Sequence, residues 1–249
     1  MEDNYLVAFF DILGYKHIAD TDDIERVSKI ISGTIKIMPE RVNEMVRSLY
    51  SGEIRPNIET NVLGQIKTRL ISDSILISAP IPSLYKRIEL WWNFLLYAKC
   101  LCREMFDTGL PIRGAIDVGT FYVDEFCFAG KASMNCYRLA ESLNFSGVVL
   151  TDRARTEFTT LVKETPILAK DGQLPLGIDY LAPLRDGTEK RLFILNWWHG
   201  KICSADIRQA VFESFSGYAK DVSLKEQPKI QNTEMTLRAF TQRNKKEQM

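Results

Sequence analysis

Residues 5–14 read YLVAFFDILG, an apolar run that ends on an acid and is followed by a glycine turn. A continuous apolar run of this length, bounded by a turn signal, is typical of a strand buried on both faces. Gly14 fits a tight turn because glycine adopts backbone conformations that other residues rarely adopt. We therefore predict a central strand that ends at Asp11, directly before a tight loop.

The segments after this strand alternate between helical and strand-like patterns. Apolar residues recur at helical spacing from Ile24, and Pro39 predicts a second helix that runs to about Tyr50. Asp73 lies between two β-rich segments. The order strand–helix–strand–strand–helix–strand is that of a ferredoxin-like α+β palm. The later predicted strands are 66–72, 74–79, 112–119 with an arm at 121–127, 148–150, 178–182 and 191–197, and the later predicted helices are 83–106, 130–143, one capped by Asp152, 205–219 and 234–243.

The chain has 249 residues, of which 45% are hydrophobic, so one large domain or a domain with an appendage is expected. The pattern changes after His199, where large apolar residues become sparse. We predict a core domain at 1–200 and a C-terminal helical extension at 201–249, separated into two helices by a loop around Pro228. The extension is expected to pack on the core or on a partner.

Charge and cysteine usage exclude several classes of partner. Lysine plus arginine and aspartate plus glutamate both total 32, so the chain has no global attraction to nucleic acid or to an anionic membrane. Residues 90–105 form the most apolar helical stretch, but Lys99, Arg103 and Glu104 interrupt it, so no membrane span is expected. Five scattered cysteines and the absence of a signal-peptide pattern before Tyr5 favour the cytoplasm over an oxidising compartment.

Asp11 and Asp73 are candidate functional residues because both adjoin apolar strands. A carboxylate in such a place needs metal or strong hydrogen bonding to offset its desolvation. Two carboxylates from neighbouring strands can share Mg²⁺ or Mn²⁺ and leave coordination positions open for phosphate oxygens. The structural alternatives are a turn cap for Asp11 and a hairpin-tip residue for Asp73.

Four motifs together resemble those of the class III nucleotidyl cyclases. Residues 9–15 (FFDILGY) resemble the first metal motif of that family, F-x-D-I-x-G-F, and residues 69–73 (RLISD) resemble the second. Residues 111–119 (PIRGAIDVG) are similar to the family's R-x-G-I-x-x-G strand, and residues 130–142 (GKASMNCYRLAES) to its G-x-x-V-N-x-A-x-R-x-E-S helix. The motifs occur in the family's order and cover roughly residues 5–200.

The resemblance implies a fold, a reaction and a set of site residues. Residues 1–200 would be the cyclase catalytic domain, acting as a homodimer with active sites at the subunit interface and two Mg²⁺ or Mn²⁺ ions at each. A nucleoside triphosphate would be cyclised with release of pyrophosphate. The implied metal site comprises Asp11, Ile12 and Asp73; the implied catalytic residues are Arg138 and Asn135; and the implied nucleotide-binding residues are Phe10, Gly14, Tyr15, Arg69, Cys127 and Lys190.

Three departures from the purine cyclases bear on the substrate. Met134 stands where the helix carries asparagine, and the neighbouring Asn135 would point about 100° away on a helix. Arg69 and Cys127 replace the two residues that select the base. Because arginine only donates hydrogen bonds, Arg69 suits carbonyl acceptors such as the uracil O4. These features resemble the bacterial pyrimidine cyclases of Pycsar antiphage systems, which implies cyclic UMP, or alternatively cyclic CMP, acting on a cyclic-nucleotide-binding effector.

Two other functions fit parts of this pattern. A degenerate cyclase-homology domain would bind a nucleotide or a partner without turnover, which Met134 favours and the retention of Asp11, Asp73 and Arg138 opposes. A palm enzyme with another product, such as a diguanylate cyclase, is opposed by the absence of a G-G-[DE]-E-F-type hairpin.

Overall fold

A central strand, β1 (Asn4–Ile12), organises the sheet in the computed structural model of the chain. The structure describes residues 4–20, 24–49, 60–82, 84–124, 127–164, 176–198, 206–220 and 222–247. The other strands are β2 (Lys67–Ile71), β3 (Ser74–Pro80), β4 (Ile112–Thr120), β5 (Tyr122–Val123), β6 (Phe128–Ala129), β7 (Gly147–Leu150), β8 (Gly177–Pro183) and β9 (Glu189–Leu195). The helices are α1 (Tyr15–Asp20), α2 (Ile24–Leu49), α3 (Thr60–Gln65), α4 (Leu84–Asp107), α5 (Lys131–Ser142), α6 (Asp152–Glu164), α7 (Ile207–Ser216) and α8 (Gln227–Glu247), with a 3₁₀ turn at Gly217–Ala219.

Seven of the strands form one sheet in the order β2-β3-β1-β4-β7-β9-β8. β1 is antiparallel to both β3 and β4, and β4 is parallel to β7. Helices α2 and α4 connect the strands of the β4-β1-β3-β2 half and pack against each other. This arrangement of four strands and two helices is the ferredoxin-like one, so the predicted α+β fold class is confirmed.

Burial on β1 explains why its sequence is apolar almost throughout. The side chains of Leu6, Val7, Ala8 and Phe10 are all fully buried, as expected for a strand covered on both faces. The predicted turn follows directly, with Gly14 at φ +79° and the His17 N–H donating to the Gly14 carbonyl at 3.2 Å. The chain therefore leaves the strand sharply after Asp11 and Ile12.

Both prolines that were predicted to delimit helices lie inside them. Pro39 falls in the middle of α2, which is one helix of 26 residues, so the prediction of two helices was wrong. Buried Met38 and Val42 continue the apolar stripe of Ile31 past the proline, and this packing offsets the lost backbone hydrogen bond. Pro228 was predicted to lie in a loop, but it occupies the first turn of α8, where a missing N–H breaks no helical bond.

Two further local predictions need correction. Within the predicted arm, Tyr122 and Val123 do not continue β4; as β5 they pair with β6 in a separate two-stranded hairpin. The cap of α6 is Thr151 rather than Asp152, since the Thr151 Oγ1 accepts the N–H of Ala154 at 3.2 Å. The predicted cap of α4, at residue 83, lies outside the described residues.

The C-terminal helices pack on the sheet domain. Val211 and Phe215 of α7 and Leu237 and Phe240 of α8 are buried with the rest of the apolar core. Thr233 of α8 also accepts the N–H of buried Ser146 at 2.9 Å, ahead of β7. No helix in the described part of the chain is both long and apolar enough to cross a bilayer.

Candidate functional site

Asp11 and Asp73 lie at the same edge of two adjacent strands. In the β1–β3 register Asp11 faces Ser74, and the Ile12 N–H donates to the carbonyl of Asp73 at 2.9 Å. Asp73 occupies the two-residue turn between β2 and β3, beside Ser72 at φ +53°. Asp73 therefore lies at a hairpin tip, and it also lies close to Asp11.

Arg113 of β4 holds the carboxylate of Asp11. The two residues face each other in the β1–β4 register, and the Arg113 Nε and Nη2 lie 2.8 Å and 2.7 Å from the Asp11 Oδ2. The Arg113 side chain is only 3% exposed, and its Nη1 donates to the carbonyls of Glu141 and Leu143, both at 3.1 Å. Because all of these donors are engaged, the guanidinium fixes the orientation of Asp11.

Charges of both signs determine the protonation of Asp11. Burial raises the pKa of Asp11 and the neighbouring Asp73 raises it further, while Arg113 and Arg185 lower it, with a net upward shift. Burial also lowers the pKa of Arg113, against the attraction of Asp11. The carboxylates thus repel each other at a partly buried position, which is the electrostatic condition that a divalent cation relieves.

The donor set fits a divalent cation whose coordination is completed by a substrate. Both Arg113 contacts fall on Oδ2 of Asp11, and within the described part of the chain Oδ1 accepts no hydrogen bond. Among the described residues no group of three or more His, Cys, Asp or Glu side chains could hold a metal. An ion at Asp11 and Asp73 would therefore need further oxygens, which a triphosphate, water or the Ile12 carbonyl can supply.

Arg185, which is not among the predicted site residues, lies near this centre. It is in the turn between β8 and β9, where its N–H donates to the Ser142 carbonyl at the end of α5 at 2.8 Å. Its exposed side chain carries a positive charge close enough to lower the pKa of Asp11. The predicted nucleotide-binding residue Lys190 instead lies on β9, where it makes an exposed ion pair with Asp152 at 3.0 Å.

Arg69 and Cys127, distant in sequence, both contact Asp124 at the β5–β6 hairpin. The Arg69 Nη2 donates to the carbonyl of Asp124. Asp124 and Cys127 close the hairpin turn, since the Asp124 N–H donates to the Cys127 carbonyl at 2.9 Å and the Cys127 N–H to the Asp124 Oδ1 at 2.6 Å. The Tyr122 hydroxyl donates to the other Asp124 oxygen at 2.7 Å. Asp124 was not among the predicted site residues.

Helix α5 separates its two predicted catalytic residues. Arg138 and Met134, one turn apart, are exposed on the outer side of the helix. Asn135 is directed to the sheet, where its Nδ2 donates to the fully buried Asp117 at 2.9 Å. Asp117 also accepts the hydroxyl of Thr151 at 2.5 Å. The structure therefore places Asn135 in a polar cluster between α5 and β4, and Arg138 at the surface.

The remaining predicted residues surround the loop after β1. The side chains of Phe10 and Ile12 are buried, so only their backbone groups are available to a ligand. Gly14 is exposed at the turn, and Tyr15 begins α1 half-buried. The structure brings these four residues together with Asp11.

Solved structures offer a likeness in fold alone. No family model matches the chain, and no curated protein matches it. The adenylyl cyclase CyaB from P. aeruginosa is 14% identical with a TM-score of 0.43, covering 77% of this chain and 92% of the other. The dimeric guanylyl cyclase domain of the RhoGC fusion protein from the aquatic fungus Blastocladiella emersonii is 13% identical with a TM-score of 0.39, covering 78% and 96%. A rhodopsin-guanylyl cyclase catalytic core with converted specificity, in complex with ATPalphaS, is 11% identical with a TM-score of 0.43, covering 78% and 95%.

Proposed function

We propose that this protein is a metal-dependent nucleotidyl cyclase that converts UTP to cyclic UMP and pyrophosphate. The observation that carries the proposal is the pair of carboxylates, Asp11 and Asp73, at one edge of adjacent strands beside the Gly14 turn. The ribose 3′-oxygen forms a bond to the α-phosphorus, the bond from that phosphorus to the bridging oxygen breaks, and the hydroxyl proton passes to solvent. Pyrophosphate carries away the bonding electron pair.

The residues around the carboxylates have separate roles in this reaction. Asp11, Asp73 and the Ile12 carbonyl would hold Mg²⁺ or Mn²⁺, which when bound acidifies the 3′-hydroxyl and neutralises phosphate charge. Arg113 orients Asp11 and lowers its pKa against the opposing effect of burial. Arg185 supplies positive charge to the triphosphate. The exposed turn at Gly14 lets backbone N–H groups approach the phosphates.

The preference for uracil rests on Arg69 and its partner. The Asp124 carbonyl engages one nitrogen of the guanidinium and so restricts its orientation. The remaining N–H groups can donate to the uracil O4, whereas the cytosine amino group at the same position is itself a donor. Cytidylate cyclisation is the alternative, since Arg69 can also donate to O2 of either base.

The exposed position of Arg138 supports a homodimer with shared sites. Large apolar side chains are exposed on the hairpin and on α5, namely Tyr122, Phe128, Met134 and Tyr137. A second copy covering this surface would bring its Arg138 to the opposite phosphates, where the guanidinium fork stabilises the transition state. The cyclic product would then act on a separate effector with a cyclic-nucleotide receptor, in antiphage defence.

A second candidate function is nucleotide binding without turnover. Asn135 hydrogen-bonds Asp117, and Met134 offers no polar group in its place, so the contact that asparagine makes in related helices has no evident substitute. This function predicts triphosphate binding that depends on Asp73, with no product.

One assay distinguishes the cyclase function from nucleotide binding without turnover. Purified protein is incubated with each of the four ribonucleoside triphosphates and Mn²⁺, and the products are chromatographed. Cyclic UMP from the wild type, its loss in Asp73→Ala and its retention in Asp179→Asn, which removes only an exposed ion pair with Arg155, are expected. Binding of UTP without any product would support the second function, and a purine product would refute the assignment of the base.

A further inference from the structure

Lys220 is a buried lysine that the proposed reaction does not use. It follows the 3₁₀ turn after α7, and it is only 6% exposed. Its Nζ donates to the carbonyl of Gly109 at 2.6 Å and to that of Ser214 at 3.3 Å. Within the described residues it has no carboxylate partner, and burial lowers its pKa to about 7. Burying an ammonium whose hydrogen-bond partners are only carbonyls costs more free energy than burying an apolar side chain in the same space.

The stem of Lys220 lies directly against the turn after β1. A Cβ placed on Gly14 would be 2.6 Å from the Lys220 Cδ and 3.4 Å from its Cγ. A cavity of about 320 Å³ adjoins the same place and is lined by Gly14, His17 and Lys220 among others. The three heavy atoms nearest to that Cβ position all belong to the Lys220 side chain, so the lysine stem is the nearest packing neighbour of Gly14 on that side.

Lys220 joins the Gly14 turn to two other parts of the fold. Its ammonium fixes it to Gly109, in the connection from α4 to β4, and to Ser214 of α7. The same connection holds the turn directly, since the Leu13 N–H donates to the Pro111 carbonyl at 2.9 Å. The ammonium therefore anchors the end of the side chain whose stem supports Gly14.

We propose that Lys220 is a positioning residue. Through its side chain, the C-terminal segment 206–220 fixes where the Gly14 turn lies relative to the substrate triphosphate. The inference rests on the proposed function, in which that turn approaches the phosphates. It assigns part of the site's support to a segment that sequence patterning places outside the catalytic domain.

The contact itself is tested without any activity. Gly14→Ala, Lys220→Ala and the double variant form a cycle whose unfolding is measured in urea. The positive φ strains alanine at position 14 in both backgrounds, but the clash with the lysine stem exists only where Lys220 is intact. We expect Gly14→Ala to lower the urea midpoint more in the wild-type background than in the Lys220→Ala background. Additive shifts would overturn the proposed contact.

The effect on the substrate is tested by separating KM from kcat. Lys220→Ala should raise the KM for UTP roughly tenfold with kcat little changed, because a misplaced phosphate turn weakens ground state and transition state alike. Lys220→Met keeps most of the stem and should show a smaller rise, so it serves where the alanine variant folds poorly. Lys225→Met, at an exposed lysine lining the same cavity, is the matched control and should leave KM within about twofold.

Calorimetry of UTP binding in the presence of Mn²⁺ distinguishes an error in the role given to Lys220 from an error in the proposed function. If the wild type makes product and Lys220→Ala keeps its KM, the role of Lys220 is wrong and the proposed function stands. If the wild type binds UTP without turnover, the same tenfold difference is expected in Kd. If it does neither, the proposed function fails and the role given to Lys220 fails with it.

Discussion

Arg113 affects both the orientation and the pKa of the Asp11 carboxyl group. A carboxyl group that is buried and lies near a second aspartate tends to bind a proton, and its raised pKa reflects both effects. The guanidinium opposes them by contacting one carboxylate oxygen and leaving the other available. The buried cation that faces Asp11 across the strand pair therefore favours its ionised form, the form that the proposed metal site requires.

Replacing Arg113 with Met should therefore destabilise the protein by about 3 kcal/mol near pH 8, because a mostly buried carboxylate is left without its cation. In the variant the pKa of Asp11 rises further above its unfolded value, so the folded state binds the extra proton and stability recovers as pH falls. Urea denaturation at pH 8 and pH 5 measures both effects. Arg155→Met, which breaks an exposed pair with Asp179, is the control and should cost under about 1 kcal/mol at either pH. An equal loss at both pH values would contradict this account of Asp11.

The sequence predicted the aspartates but not the arginines around them. Asp11 follows an apolar run, a local pattern that can be read along the chain. Arg113 faces it only through the register of β1 and β4, across 102 positions. Arg185 lies between the predicted strands 178–182 and 191–197, so its place in a connection was readable, but its approach to Asp11 depends on how that connection docks on α5. Such pairings are set by tertiary packing, which a single sequence does not contain.

At the scale of elements, apolar strands were predictable and proline effects were not. The strands around Asp73 and the order of helices and strands follow from local composition, and the structure has them. Pro39 is a helix-start signal by its own propensity, yet the buried stripe of α2 continues through it. The β5–β6 hairpin is short, so its pairing depends on the Asp124 turn rather than on strand composition.

That hairpin gives a prediction about base choice. Asp124→Ala removes the acceptor of the Cys127 N–H and of the Tyr122 hydroxyl, so the turn loosens and the carbonyl that orients Arg69 moves. The preference for UTP over CTP, measured as the ratio of kcat/KM values, should fall roughly fivefold, the worth of about one hydrogen bond. Tyr122→Phe loses one of these bonds and should have a smaller effect. An unchanged ratio in Asp124→Ala would remove the hairpin from base selection.

At the scale of the whole molecule, Arg138 is exposed and, among the described residues, makes no ion pair with Asp11 or Asp73. Asp11 is near the end of β1 and Asp73 is in the β2–β3 turn, whereas Arg138 is exposed on the outer side of α5. The exposed apolar side chains Met134 and Tyr137 flank Arg138 on the same helix. A surface of this kind favours association, and a two-fold dimer would repeat the same contact twice, once for each set of aspartates.

Mixing two inactive variants tests this arrangement. Asp73→Ala and Arg138→Ala should each be inactive alone, but in a mixed dimer one of the two sites has intact aspartates from one chain and an intact arginine from the other. With random exchange half of the dimers are mixed, so an equimolar mixture should recover about one quarter of the wild-type rate. The control is a mixture of Asp11→Ala with Asp73→Ala. Both aspartates of a site come from the same chain, so every site in the mixture lacks one aspartate. If differently tagged chains are seen to exchange and the rate does not recover, Arg138 does not act across a dimer interface.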